Sequence, residues 1–391
     1  MEYGDDILYK LWLNIQCGHD PKLISKFTEK SAEDIFNSSV LYDEMHHRLP
    51  LYLKLSASRS LDKAKELYEF CEENGIKIIG IDDNEYPDRL RQIQIPPQVL
   101  YVKGELPDID KLVCITIVGS RKCSQYGTEF TRNLATELSQ SGILIVSGMA
   151  NGADTAAHNG ALDSGMPTVA VLAGGVDIVY PKSNLKLYNE ILTSGAVISE
   201  RPPLTEGRPE FYRQRNRILA GLSQGVVIVE GEKKSGTKLT ATWANTLNRD
   251  LFAVPGKPTD KGSALPNNLI KDSAKLITSA EDVIEEYISV YPVELKNGMD
   301  MINKERIKVR ERKFEGVRAE ALPIPKKRDF SQFEGNLRTV LEYLDKNTEA
   351  KHADEISADC NIDTAELSFV IIQLLMQKVI KELPGEYYTI A

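Results

Sequence analysis

Between residues 112 and 254, six short apolar runs, "VCITIV", "ILIVS", "TVAVLA", "AVIS", "GVVIVE" and "LFAV", are separated by stretches of helical periodicity. Apolar runs of that length, rich in β-branched residues, read as strands. Helices are expected over 127–140, 154–164, 183–193, 214–222 and 237–248. Strands alternating with helices predict a parallel sheet joined by crossovers, and hence a doubly wound α/β domain. Such sheets bind ligands at the carboxyl ends of their strands. Four glycine-rich segments, "GSRKCSQYG", "SGMANGADTAAH", "AGGVD" and "EGEKKSGT", each follow a predicted strand, so they are expected to converge on one edge.

The α/β pattern does not fill the chain of 391 residues, which is long enough for two or three cores. Residues 1–60 read as helical, with Ile7, Leu8, Leu11 and Ile15 on one face of "DDILYKLWLNI" and Ser31 as an N-cap. The α/β domain is drawn over 61–290. It opens with a helix ("LDKAKELYEFCEENG") and a short strand ("IKIIGI"), followed by the proline-marked turns "EYPDRL" and "QIPPQVLYVKG". Residues 291–332 read as a basic linker. Within it, 304–328 carry 10 Lys+Arg against 4 Glu, a solvated tether or an auxiliary DNA contact. The last segment, 333–391, has three helical stretches and a hairpin around Pro384-Gly385, the order of a winged helix-turn-helix.

Composition removes several classes. No apolar run approaches the ~20 residues of a membrane span. The acidic start "MEYGDDILYKLW" is unlike a signal peptide, and the cytoplasm is the expected location. Five cysteines with no CxxC suit a reducing compartment and argue against structural zinc. With a formal charge of −9, any nucleic-acid surface must be a local basic one.

The glycine loops favour an anion without naming a cofactor. "GSRKCS" is not GxGxxG, and "ILIVS" does not end in the acidic residue that would hold a ribose, so the pattern makes a poor dinucleotide site. No GxxxxGK[ST] occurs. What remains is backbone N–H at a helix N-terminus, around Gly119 and Ser120, with Arg121 able to grip two phosphate oxygens. Arg213, Arg215 and Arg217 follow Phe211 and Tyr212, a mixture of charge and rings suited to single-stranded nucleic acid. Residues two apart on a helix face different ways, so at least one of these arginines is structural. Ser235 and Gly236 precede another helix start, and Lys182 in "YPKSN" adds a cation to the same rim. Asp154, His158, Ser147 and Glu230 are the conceivable catalytic groups. They form no nucleophile–base–orienter set, and no metal-ligand cluster is present, so neither turnover nor a cofactor is expected.

Taken together, "VGSRKCSQYG", "SGMANGADTAAH", "AVLAGGVDIVYPKSN", "VISERPP", "FYRQRNRILAGLSQGVVIVEGEKKSGTKLTATWA", "FAVPG" and "LPNNLI" resemble, in order, the DNA-processing protein A family, also called Smf. The resemblance covers roughly 112–280. It implies an extended Rossmann-like domain flanked by a helical N-terminal domain and a C-terminal winged helix. It further implies a homodimer that binds and protects single-stranded DNA and loads the RecA recombinase in natural transformation, with no established turnover. By motif, the DNA site would comprise Gly119, Ser120, Arg121, Lys182, Arg215, Asn216, Arg217, Ser235 and Gly236. A second resemblance, to lysine-decarboxylase-like nucleoside monophosphate hydrolases, is only partial, because their PGGxGTxxE signature is incomplete in "EGEKKSGT" and "AGGVD".

Residues 331–391 hold 5 Lys+Arg against 11 Asp+Glu. A surface of that charge repels phosphates. The helix expected to read DNA, "TAELSFVIIQLLMQK", offers only Lys378. The tail is therefore expected to contact protein rather than DNA.

Overall fold

The computed structural model describes residues 5–27, 31–37, 55, 59–301, 330, 332–346, 351–377, 379–383 and 387–390. The basic segment 304–328, Lys378 and the Pro384-Gly385 turn lie outside the described residues. The chain divides into two compact units, Met1–Val309 and Arg310–Ala391.

The first unit is built on one mixed sheet, which has nine strands among the described residues. They are β1 (Ile76–Gly80), β2 (Val99–Gly104), β3 (Cys114–Val118), β4 (Leu144–Ser147), β5 (Thr168–Val171), β6 (Ala196–Ser199), β7 (Gly225–Ile228), β8 (Asp250–Ala253) and β9 (Lys275–Leu276). Their spatial order is β1-β2-β6-β5-β4-β3-β7-β8-β9. All pairs from β6 to β9 are parallel, while β1 and β2 are antiparallel additions at one edge. The six strands expected from the sequence are β3 to β8. The segment read as turns around "QVLYVKG" is instead β2: its Pro96-Pro97 pair precedes the strand and leaves Val99–Gly104 free to pair with β1 and β6.

Burial on both faces explains the near-continuous apolar runs. Alternate residues serve opposite layers. Ile115, Ile117, Ile143 and Ile145 pack with Leu134 and Leu138 of the helix Gln125–Gln140 and with Ala157 and Ala161 of Ala153–Ser164. Cys114, Val118, Leu144 and Val146 pack with Ile218, Leu219 and Leu222 of Pro209–Leu222 and with Ala241 and Ala244 of Thr237–Thr246. The cysteines Cys17, Cys71 and Cys114 are buried.

The N-terminal helices share their core with this sheet. Leu8, Leu11 and Trp12 of the helix Asp5–Gln16 belong to one cluster with Tyr101, Ala170 and Val197. The fully buried face therefore runs through Trp12, and Ile7 and Ile15 sit at its margin. Lys10, itself buried, reaches Asp82 at 2.6 Å and also pairs with Asp6. Ser31 caps Ala32–Asn37, its Oγ accepting from Asp34 N at 3.0 Å.

In the second unit, the helices Gly335–Lys346, Ala353–Cys360 and Thr364–Met376 enclose a core containing Val340, Leu341, Ile356, Leu367 and Leu374. Strands β10 (Lys351–His352), β11 (Ile380–Leu383) and β12 (Tyr387–Ile390) form an antiparallel sheet in the order β10-β12-β11. The helical stretch read from "TAELSFVIIQLLMQKVI" extends through Ile380. The helix itself stops at Met376, and Ile380 instead opens β11 opposite Ile390.

Among the described residues no helix is long and apolar enough to cross a membrane.

Candidate anion-binding cleft

After β3 the chain moves outward through β4, β5 and β6, then returns to lay β7, β8 and β9 on the other side of β3. The loops that leave β3 and β7 diverge to opposite faces of the sheet. A doubly wound sheet holds its ligand at such a reversal. A cleft of about 470 Å³ opens there, lined by the loop after β3 (Gly119–Lys122), by Ala150 and Asp154, by Tyr212, Arg215 and Asn216, and by the loop after β7 (Glu232–Thr237).

Several contacts pin this cleft. Gly152 has φ +80°, and a Cβ there would clash with the Ser120 carbonyl oxygen, so only glycine lets the two loops approach. Ala153 N donates to that same carbonyl at 3.3 Å. Thr237 Oγ1 donates to the Gly119 carbonyl at 3.2 Å, tying the start of Thr237–Thr246 to the first loop. That helix begins at Gly236 with no side-chain cap, and its first turn faces the cleft through Gly236, Thr237 and Thr240. Ser120 Oγ accepts from Lys122 N at 3.1 Å and keeps its proton for another acceptor.

The helix after β3 is not the anion seat that the sequence suggests. Ser124 caps it, with Oγ accepting from Gly127 N at 3.0 Å. Glu230 then takes Ser124 N at 2.9 Å and Ser124 Oγ at 2.5 Å. The protein's own carboxylate thus occupies that N-terminus, where negative charge is stabilised. What remains for a ligand is the loop before the helix and the uncapped helix start across the cleft.

The arginines divide sharply. Arg121 is exposed, with its guanidinium 4.9 Å from the centroid of the Tyr212 ring. Tyr212 is flanked in turn by Arg215 at 6.0 Å and by Tyr180, edge-on at 6.3 Å between centroids. Arg215 is buried and bonds the carbonyls of Gly148, at 3.1 Å, and Val171, at the ends of β4 and β5. Its Nε donates to Asn216 Oδ1 at 3.2 Å. Burial lowers the pKa of Arg215, opposed chiefly by the Asp154 carboxylate, and burial raises that of Asp154, opposed first by Arg215.

Arg217 does not reach the cleft. Only 2% exposed, it forms a two-pronged ion pair with Glu200 at 3.0 and 2.5 Å and donates to the carbonyls of Ile95 at 2.8 Å and Gln214 at 2.9 Å. Two residues along the helix from Arg215, it points at the β6 loop instead. Lys182 is exposed and lies outside the cleft lining, on a turn anchored by Asn184 Nδ2 to the Met149 carbonyl at 3.0 Å and to Thr155 Oγ1 at 2.8 Å. Of the nine residues expected at the site, Gly119, Ser120, Arg121, Arg215, Asn216, Ser235 and Gly236 line the cleft. The "AGGVD" loop also stays outside. It is tied to the loop after β6, with Gly175 N on the Thr205 carbonyl at 2.8 Å and Asp177 accepting from Leu204 N at 3.0 Å. Lys122, Glu232 and Lys234 line the cleft without having been singled out, since exposed loop charges carry no distinguishing signal in sequence.

Of the conceivable catalytic groups, Ser147 and Glu230 are engaged in internal hydrogen bonds. Ser147 Oγ donates to the Ile117 carbonyl at 2.6 Å. Burial first, then the Glu230 carboxylate, push the Cys123 thiol up to about 12. His158 is buried, with Nδ1 2.8 Å from Thr168 Oγ1. The Thr168 proton goes to the Ile145 carbonyl at 2.7 Å, so Nδ1 must carry the imidazole hydrogen. Nε2 is left buried without a partner. Among the described residues no group of three His, Cys, Asp or Glu could hold a metal.

Two predictions test these assignments. Arg217→Met strands Glu200 in the interior and is expected to destabilise the first unit by about 3–5 kcal/mol, read as a lowered urea midpoint. A midpoint within error of the wild type would mean that the pair is not structural. Burial, reinforced by Arg215, also pushes the His158 pKa down to about 3, below its ordinary 6.5. The unfolded chain therefore binds the proton first, and stability present above pH 6.5 is lost as pH falls towards 3, at about 1.4 kcal/mol per pH unit. Urea unfolding at pH 6.0 and 5.0 should show that loss, and His158→Gln should remove this share of the slope. A slope identical in the variant contradicts the assignment.

Residues 77–288 match the family model of DNA recombination-mediator protein A. The chain is 35% identical to the DNA processing protein DprA of Bacillus subtilis over 267 residues, 68% of this chain and 90% of that protein. It is 40% identical to the DNA processing protein DprA of Streptococcus pneumoniae over 208 residues, 53% of this chain and 73% of that protein. The crystal structure of the pneumococcal protein superposes with a TM-score of 0.59 at 33% identity, covering 73% of this chain and 99% of that one. The DNA processing protein A of Helicobacter pylori, solved for its single-stranded DNA binding mode, superposes with a TM-score of 0.50 at 28% identity, over 55% of this chain and 97% of its own. With more than half its length inside that family model and a relative matched almost end to end, this chain belongs to the DNA recombination-mediator protein A family.

Proposed function

We propose that the cleft seats a phosphate of single-stranded DNA, and that the protein is a non-catalytic, cofactor-free mediator that shields such strands and hands them to the RecA recombinase in natural transformation. It acts in the cytoplasm as a homodimer. The observation that carries this reading is Arg121: an exposed guanidinium, backed by the Tyr212 ring, at the mouth of a switch-point cleft whose potential catalytic groups are committed to internal bonds. A phosphate held there meets the Arg121 fork, the Ser120 hydroxyl and the first turn of Thr237–Thr246. The single-strand binding of the Helicobacter pylori relative supports the same choice of ligand. Lys182 adds a second phosphate contact at the rim. Gly119, Ser235 and Gly236 supply backbone at the seat, and Arg215 and Asn216 shape its wall. Arg217 is the brace beneath it.

The helices and three-stranded sheet of the second unit follow the order of a winged helix. We assign it to protein contact. Phosphates are repelled by its acidic surface, and the helix Thr364–Met376 exposes Phe369 and Ile372, at 70% and 56%.

Fluorescence anisotropy with a labelled poly-dT strand tests the site. Arg121→Ala combined with Lys182→Ala is expected to lower affinity at least about tenfold and to flatten the log–log salt slope by roughly 1.4, or ~0.7 per lost contact. Both side chains are exposed, so the urea midpoint should not move. Wild-type affinity in the double variant would sink the reading. Truncation after residue 330 should leave single-strand affinity within about twofold. A larger loss would show that the second unit carries DNA contacts.

A further inference from the structure

The cleft holds one or two phosphates, yet its basic wall does not stop at Gly236. Two loops run side by side along the carboxyl ends of β7 and β8, residues 231–236 and 255–263. They are bonded to each other: Gly231 N donates to the Gly262 carbonyl at 2.6 Å, and Leu265 N to the Gly231 carbonyl at 2.8 Å. Lys234 from the first loop and Gly262 from the second both line the cleft, so the pair of loops is continuous with it. Lys233, Lys234, Lys257 and Lys261 are exposed on these loops, and no ion pair engages any of them among the described residues.

The acidic groups of the sheet lie elsewhere. Glu85, Glu105, Asp108 and Asp110 gather in a separate cleft beside β1 and β2, and because β2 runs antiparallel to β6, with Gly104 opposite Ala196 and Glu105 N on the Gly195 carbonyl, that cleft lies at the amino ends of the parallel strands. The loops over β7 and β8 carry only Glu232 and Asp260. Past β9, Asp282 accepts from the backbone of Thr278 and Ser279 at 2.6 and 3.0 Å, and acidic Glu281 stands beside it, so the basic run ends there. The acidic cleft and the basic loops thus lie at opposite ends of the parallel strands, with the basic loops joined to the Arg121 seat.

We propose that the lysines on the β7 and β8 loops form a second phosphate subsite, a track that carries a single strand out of the cleft across β7 and β8. This rests on the single-strand reading of the cleft and gives the strand a direction. Ammonium groups are compact point charges on flexible stems, suited to following a backbone without reading bases. Only strands longer than the seat reach the track.

The experiment compares dT4 with dT20 by fluorescence anisotropy between 50 and 300 mM NaCl, using the full chain and the double variant Lys257→Ala with Lys261→Ala. Neither residue lines the cleft, and both are exposed. The variant is expected to lose about 1.4 from its dT20 log–log salt slope and on the order of tenfold in dT20 affinity at low salt, with dT4 binding unchanged. An unchanged dT20 slope, or equal losses on both lengths, overturns the track while leaving the cleft intact. Failure of the wild-type chain to bind either strand would overturn the single-strand reading, and the track with it.

Discussion

The architecture of the cleft depends on one buried guanidinium. Parallel strands end in carbonyls that the ladder no longer satisfies, and a buried carbonyl without a donor is costly. Arg215 answers two of them, at Gly148 and Val171, and so fastens the helix Pro209–Leu222 across the ends of β4 and β5. Once that helix is fixed, everything it carries is placed. Asn216 turns to Gly236 across the cleft, Arg217 drops to Glu200, and Tyr212 presents its ring to Arg121. An arginine that looks like a ligand-binding residue in the sequence thus acts first on the protein's own backbone.

The sheet was legible because its strands are buried on both faces. Runs such as "CITIV" and "GVVI" leave no choice of layer, and the crossovers between them fix parallel pairing. The antiparallel edge was harder to read. Prolines before Val99 look like turn punctuation, and nothing local shows that the six residues that follow will pair on both sides. The two-residue strand β9 is shorter than any pattern that periodicity can detect.

At the site, the limit was chemical. Sequence spacing shows that three alternate arginines cannot share a target, but not which one is free. That is decided by Glu200 at the end of β6 and by the strand carbonyls, all distant in sequence from the arginines. In the same way, "GSRKCS" followed by a helix reads as a helix-terminus anion site until Glu230, some hundred residues on, fills that terminus. Both corrections have the same cause. Internal acceptors compete with a ligand for the same donors, and only the fold shows which donors have been taken.

The remaining free donors gain their importance from where the charge lies. At physiological ionic strength exposed charges more than about 8 Å apart are largely screened, so a net charge of −9 on the whole chain does not prevent one edge from attracting an anion. What matters is the local balance, and the sheet sets it by topology. Strand direction sends the acidic loop after the antiparallel β2 to the amino ends of the parallel strands and the lysine-bearing loops of β7 and β8 to their carboxyl ends, beside the Arg121 seat at the reversal between β3 and β7. The same reversal that opens a crevice therefore also places it beside the basic loops. The proposed anion capture by this acidic chain rests on that topology and on the few guanidinium and ammonium groups that the interior does not consume.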